Sequence, residues 1–393
     1  MFDVSSLVGP RDEAWARLRQ AIQTTVAASV SYFLVDAFGL AQGFWAVMTA
    51  ILVTQANVGA SLGLAVDRLF GSLVGVLVGG AVAVALADVH ELKFAGLAVT
   101  VLVLAFFAAR RPSLRIACVT AAIVILGDPR LGPPIASAEN RMIEVAIGTI
   151  IAITTSLIVF PSRAGPAFAE HVTRTLQPLF QVLREVLDAA LGKPLEASAM
   201  AGQAAEIRAA LAKGDNLAKE ARLEVAGYIA DSPDPDAMLR TLRRLWHTEI
   251  MLMRATALPL PALAEKGLGP CLDALAAAIE GVSRQLYSPE TAYATPDLSG
   301  VEVALADFEH RTEELRARGA MRGLSMDEMI RLMAFDFALG QLRLNLRDLA
   351  ERAPELAAFA GSTYPILRRL QSLPRWEVTF QQPRRATPAA SNI

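Results

Sequence analysis

The chain has 393 residues, 53% of them hydrophobic and only 19% charged, with a mean hydropathy of +0.39. That apolar fraction exceeds what a soluble domain carries, so a membrane protein is expected. The formal net charge of −2 leaves no electrostatic footprint for nucleic acid, and none is expected as a partner. The two cysteines, Cys118 and Cys271, make neither a disulfide framework nor a metal-ligand spacing.

In chain order, apolar segments run over 20–38, 44–56, 69–87, 92–109, 114–127 and 141–160, and each is read as a membrane helix. A full crossing takes roughly 20 residues, so the segments ending at Ala56 and Gly127 are expected to be partial or broken spans. The first segment follows Arg11, Arg17 and Arg19, as a signal peptide would. It also holds Gln23 and Asp36, and more spans follow at once, so an uncleaved span is expected. The basic N-terminus, the Arg110-Arg111-Pro112-Ser113-Leu114-Arg115 loop and the region from Arg163 onward place both termini in the cytoplasm, while the loop DAFGLAQG at 36–43 has no Lys or Arg. Lys93 and Arg130 fall on the outer side against this bias.

The apolar part carries a weak internal repeat, with chance similarity between two apolar stretches as the alternative. FWAVMTAILVTQ at 44–55 aligns with RIACVTAAIVIL at 115–126, through Thr49-Ala50 and Thr120-Ala121. Some twenty residues later DRLFGSLVG at 67–75 meets NRMIEVAIG at 140–148, so that Arg68 matches Arg141 and Gly75 matches Gly148. A unit of three spans is odd and must lie upside down relative to its copy, which is the inverted-repeat plan of many secondary transporters. Beyond Pro161 charged residues return at helical spacing, as in EASAMAGQAAEIRAALAKGDNLAKEARLEVAGYI at 196–229 and SMDEMIRLMAFDFALGQLRLNLRDLAERA at 325–353. The expected fold is therefore all-α: a membrane domain of six transmembrane helices (3+3 inverted repeat) over 1–162, a soluble helical bundle on the cytoplasmic side over 163–380, and a disordered tail over 381–393.

Ionisable residues in apolar spans are costly and point to function. If the third span starts at 69, Asp67 is placed as its N-cap and Arg68 stands in the first turn, against the helix dipole. A guanidinium together with helix N-terminal amides makes an anion site; the second repeat offers Asn140 as cap, Arg141 next and Glu144 one turn on. The alternative is that both arginines snorkel to headgroups. Gln55 and Asn57, with Thr54, either line a cavity or form a polar chain break. Trp45 is either an interfacial belt residue or a stacking surface for an aromatic ligand. Gly71, Gly75, Gly79 and Gly148 read as a small-residue stripe for close helix packing. Asp36 and Asp128 are outer-end acids, and His90 lies in a loop. No phosphate loop, dinucleotide fingerprint, zinc helix or nucleophile elbow occurs. Neither an enzyme nor any cofactor or metal is expected.

GFWAVMTAILVTQANVGASLGLAVDRLFGSLVGVLVGG at 43–80 resembles the signature of the fusaric acid resistance proteins, also called the aromatic acid exporter family, and RMIEVAIGTIIAITTSLIVFP at 141–161 resembles that family's sixth span. The resemblance rests on Trp45, Arg68, Gly71, Ser72, Gly75, Arg141 and Pro161 in this order and covers about residues 15–165. It implies an inner-membrane efflux transporter of aromatic carboxylic acids, driven by the proton-motive force, with a periplasmic adaptor in some members. Many bacterial members carry two six-span units; a single one here implies a homodimer. A single unit with a helical cytoplasmic region is also the plan of plant aluminium-activated malate channels. The expected substrate site is Arg68 and Arg141 for the carboxylate, Trp45 for the apolar body, and Gln55 and Asn57 around them, with Asp67 and Glu144 as candidates for proton coupling. A passive organic-anion channel and a non-transporting membrane scaffold are the alternatives.

Overall fold

The computed structural model describes residues 11–40, 42–87, 89–127, 133–193, 197–226, 232–257, 267–287 and 293–361. The expected tail over 381–393, Asp128 and Arg130 lie outside the described residues, as does the side chain of His90. All regular structure among the described residues is helical. The first half contains α1 (Arg11–Ala37), α2 (Phe44–Val53), α3 (Val58–Ala85), a 3-10 turn (His90–Leu92), α4 (Lys93–Ala108), α5 (Leu114–Ile125) and α6 (Pro134–Ile158). The second half contains α7 (Ala164–Ala190), α8 (Ala197–Ala226), α9 (Pro235–Ala255), α10 (Gly269–Tyr287), α11 (Ser299–Ala317) and α12 (Met326–Gly361).

Two of the expected helix starts are corrected. The third apolar helix begins at Val58, and its N-cap is Asn57, whose extended backbone (φ −139°, ψ 165°) lets Oδ1 accept from the Ala60 amide at 2.7 Å. The sixth begins at Pro134, where the missing N–H costs nothing. Asp67 and Asn140 are therefore interior helical residues and cap nothing. A hydropathy trace breaks at a charge pair, but the backbone hydrogen-bond ladder does not, provided the charges find surroundings that tolerate them.

Among the described residues two helices, Val58–Ala85 and Ile135–Ile158, are long and apolar enough to cross a membrane. The apolar helices Phe44–Val53, Lys93–Ala108 and Leu114–Ile125 are shorter. Many large side chains on the outside of this half are apolar: Tyr32, Phe33, Leu102, Phe106 and Ile150 are all well exposed, as a lipid-facing surface requires.

The centre of this half is the antiparallel crossing of α3 and α6. The Val58 amide donates to the Ser162 carbonyl at 2.9 Å, Ser61 and Ser156 hydroxyls meet at 3.3 Å, and Ala65 packs with Ala152. Each of the two long helices also presses a glycine against a short apolar helix, α3 against α5 and α6 against α2. A Cβ on Gly75 would stand 2.6 Å from the Ala117 carbonyl oxygen and 2.7 Å from Thr120 Cβ; one on Gly148 would stand 2.3 Å from the Ala46 oxygen and 2.8 Å from Thr49 Cβ. Ala46 and Thr49 are the sequence counterparts of Ala117 and Thr120, so the two contacts are copies of each other. Gly71 and Gly79 extend the same seam along α5, against Ile116 and Ala121.

The second half closes around one core, in which Phe168 meets Phe359 edge-on at 5.0 Å and Phe308 meets Phe335 at 6.2 Å. Between α9 and α12 a polar seam is fully engaged: Asn345 Nδ2 donates to Thr248 Oγ1 at 2.8 Å and Arg244 pairs with Asp348. Glu249 is the exception. Its carboxyl is wholly buried, neither oxygen has a hydrogen-bond partner among the described residues, and burial holds it far above the usual carboxylate range. A carboxyl with a folded pKa above its unfolded one binds its proton more tightly in the native state, so stability falls as pH rises above about 4.5. Glu249→Met, similar in shape and without the buried acid, is expected to be more stable than the native chain by about 1–3 kcal/mol near pH 8. The margin should shrink toward pH 5; thermal unfolding of both proteins across that range checks the slope as well as the sign.

The halves meet at the start of α3. From α8, Glu224 Oε1 accepts the Gly59 amide at 3.0 Å and the Ala164 amide at 2.8 Å, so one buried carboxylate serves the first turns of α3 and α7 together. Beside it Asn57 Nδ2 donates to Glu220 Oε2 at 2.9 Å.

Candidate functional site

Arg68 stands ten residues into α3, about 15 Å from its start at 1.5 Å per residue, and Arg141 about 10 Å into α6. Neither is at the end of its own helix, so the amides that open α3 and α6 lie away from them, and the anion site expected from those two ends is corrected to one built around side chains. The antiparallel crossing brings the two long helices together, and the glycine seam packs α2 tightly on α6. These contacts draw Arg68, Arg141, Trp45 and Thr49 into one place.

Arg141 is 2% exposed, and its guanidinium carbon lies 4.2 Å from the centre of the Trp45 ring. That is a cation–π distance, and desolvation strengthens such a contact. Trp45 is half-buried and leans on Phe44, with centroids 4.8 Å apart, which orients its face toward the arginine. Glu144, one turn along α6, is 1% exposed, and Arg141 feels the charges of both Arg68 and Glu144. Arg68 Nη2 donates to the hydroxyl of the fully buried Thr49 at 3.4 Å. Among the described residues Arg68 Nε, Arg141 Nε and Nη1, and Glu144 Oε2 are buried without a hydrogen-bond partner. Two guanidiniums against one carboxylate leave a surplus positive charge with unused N–H donors in an apolar setting, and such a group is satisfied by an anion.

The remaining expected residues lie elsewhere. Gln55 belongs to the α2–α3 turn, where its amide donates to Ser61 Oγ at 2.9 Å and its side chain to the Leu52 carbonyl at 3.1 Å. Asn57 caps α3 and binds Glu220, about 16 Å along the helix from Arg68. Both are thus corrected from cavity lining to turn and junction. Asp67 is half-buried on α3 and Asp36 is exposed at the end of α1. Thr49 was visible in the sequence as a repeat match only; its position one turn after Trp45, on the same face of α2, was the available signal for a site role. Glu224 had no such signal, since its partners are 60 and 165 residues away.

No curated protein matches the chain. Residues 29–155, the stretch that holds Trp45, Thr49, Arg68, Arg141 and Glu144, match the family model described as fusaric acid resistance protein-like, and over that stretch the chain is similar to the fusaric acid resistance proteins.

Proposed function

We propose that the chain is an exporter of small aromatic carboxylates in the bacterial inner membrane, working as a homodimer with both termini cytoplasmic, in some settings with a periplasmic adaptor. The observation that carries this is the Arg68–Arg141–Trp45 cluster, in which Arg141 is buried and the other two are half-buried: guanidinium N–H groups without partners suit a carboxylate, and an indole face suits an aromatic body. The fusaric acid resistance protein-like match suggests a membrane transport or resistance function. The reading as a six-span domain of two inverted units draws support from the antiparallel α3–α6 crossing and from the paired contacts of Gly75 and Gly148. On this reading the helices of the second half pack below the membrane and hold the foot of α3 through Glu220 and Glu224.

Glu144 and an incoming carboxylate both seek Arg141, so protonation of Glu144 frees the guanidinium and sets how tightly the anion binds. The outward drive is electrical: an anion leaving a cell that is negative inside gains about 2.3 kcal/mol per charge per 100 mV. The chemistry needs no cofactor. The test is flux of radiolabelled p-hydroxybenzoate in proteoliposomes, with and without an imposed pH gradient, for the native chain and Arg68→Gln. Accumulation that depends on the gradient and disappears in the variant supports the exporter. Protein-mediated equilibration without accumulation makes the protein a channel, and no protein-dependent flux at all leaves the scaffold reading in its place.

A further inference from the structure

Helix α12 is apolar on two sides. One side enters the core through Leu332, Phe335, Leu339, Leu342, Leu346 and Leu349. The other bears Met326, Ile330, Met333, Phe337 and Leu344, all exposed, with Phe337 at 60%. A helix apolar on both sides is one that packs on both sides. The exposed residues, together with Gly340, advance in steps of four and three, the spacing of a coiled-coil seam. At Gly340 the seam is notched: a Cβ there would meet nothing within 4 Å. Phe337, Gly340 and Leu344 also border an open cleft of about 670 Å3 between α11 and α12.

We propose that this face docks on the same face of a second copy, α12 against α12 in antiparallel register. Three features select that occupant. With the two-fold axis between the Phe337 and Gly340 layers, Phe337 of each chain fills the other's Gly340 notch and Met333 meets Leu344, so one surface supplies both knob and hole, as an isologous contact requires. The flanking charges agree with this register: the position beside Phe337 is Asp336 and that beside Leu344 is Arg343, and antiparallel pairing sets one opposite the other. Asp336 has no ion-pair partner of its own among the described residues, and Arg343 is held at the flank by Glu309 at 2.9 Å and Glu302 at 3.3 Å. Ile330 then lies along the stem of Arg347, whose guanidinium stays fixed by Glu302. The dimer in the functional proposal thereby gains a surface, independent of what is transported.

The test uses the full chain in its membrane. Differently tagged chains carrying Phe337→Cys and Gly340→Cys are co-expressed and oxidised, with Arg174→Cys, an exposed side chain of α7, in both chains as the control. The expected result is a mixed disulfide dimer at least 10-fold above the control, lost when Leu344→Glu is added to both chains. All substituted positions are exposed or open, and an unchanged thermal midpoint verifies that the fold is kept. Cross-linking no better than the control overturns the proposal, as does quenching of a fluorophore at residue 340 by lipid-borne quenchers, which would put the stripe on the bilayer. Either failure leaves the flux experiment, and the reading it tests, untouched.

Discussion

Arg141→Gln is expected to lower protein-mediated flux of an aromatic carboxylate by about 30-fold or more, while the chain still folds and inserts. Removing one partner of a buried, charge-assisted contact costs on the order of 2–5 kcal/mol, and 2 kcal/mol is already about 30-fold. The substitution also strands Glu144, whose charge Arg141 balances in the native chain. For that reason Arg141→Gln combined with Glu144→Gln should insert at least as well as Arg141→Gln alone, yet remain inactive. Glu144→Gln by itself separates binding from coupling. It leaves both guanidiniums free for the anion, so binding persists, but the competing proton site is gone. The native chain should bind the carboxylate more tightly as pH falls, because protonated Glu144 no longer competes for Arg141, and the Glu144→Gln variant should show a flat profile. A variant whose affinity still rises toward low pH would remove Glu144 from the mechanism without touching Arg141.

The second large effect lies at the junction. Glu224→Ala is expected to destabilise the chain by about 2–4 kcal/mol, because the Gly59 and Ala164 amides both lose their acceptor in a buried place. Glu224→Gln keeps a carbonyl oxygen at the same position and should cost about 1 kcal/mol or less. Glu220→Ala removes a partly exposed contact with Asn57 and should cost no more than about 1 kcal/mol. Thermal unfolding in detergent ranks the three, and equal losses for Ala and Gln at position 224 would show that charge rather than hydrogen bonding matters there. The pH dependence has a definite sign. Burial raises the Glu224 carboxyl above its usual range despite the amides of Ala164, Gly59 and Gly165 and the charge of Arg163. Its contribution therefore diminishes as pH rises through that range, and Glu224→Gln should flatten this part of the profile.

What could be read in advance follows the range of each interaction. Arg68, Arg141 and Trp45 stand out because a charge or an indole in an apolar run is costly or informative wherever it ends up, and the aligned segments at 67–75 and 140–148 pair the two arginines from the sequence alone. The glycine stripe was legible for the same local reason: three glycines at every fourth residue lie on one side of a helix. The helix starts were not legible from hydropathy, since Asp67-Arg68 and Asn140-Arg141 interrupt a polarity trace but not a backbone ladder. The cap at Asn57 followed a known local rule, yet its residue type also suits a cavity, and only its contact with Glu220, across 163 residues, decides between the two. Contacts of that span belong to the tertiary fold and leave no periodic trace.

The continuity of α3 makes it a rod with a foot, a pivot and a load. Its foot is clamped to α8 at Gly59, its glycine seam on α5 is centred on Gly75 between Gly71 and Gly79 and serves as the pivot, and Arg68 lies between foot and pivot. From Asn57 the pivot is about 27 Å away along the axis and from Arg68 about 10 Å. A sideways shift of α8 at the foot would therefore reach Arg68 in the same direction, scaled to roughly two fifths. Movement in the second half of the chain is thus geared down, not lost, before it arrives at the guanidinium, and that half holds a mechanical input to the site without touching it.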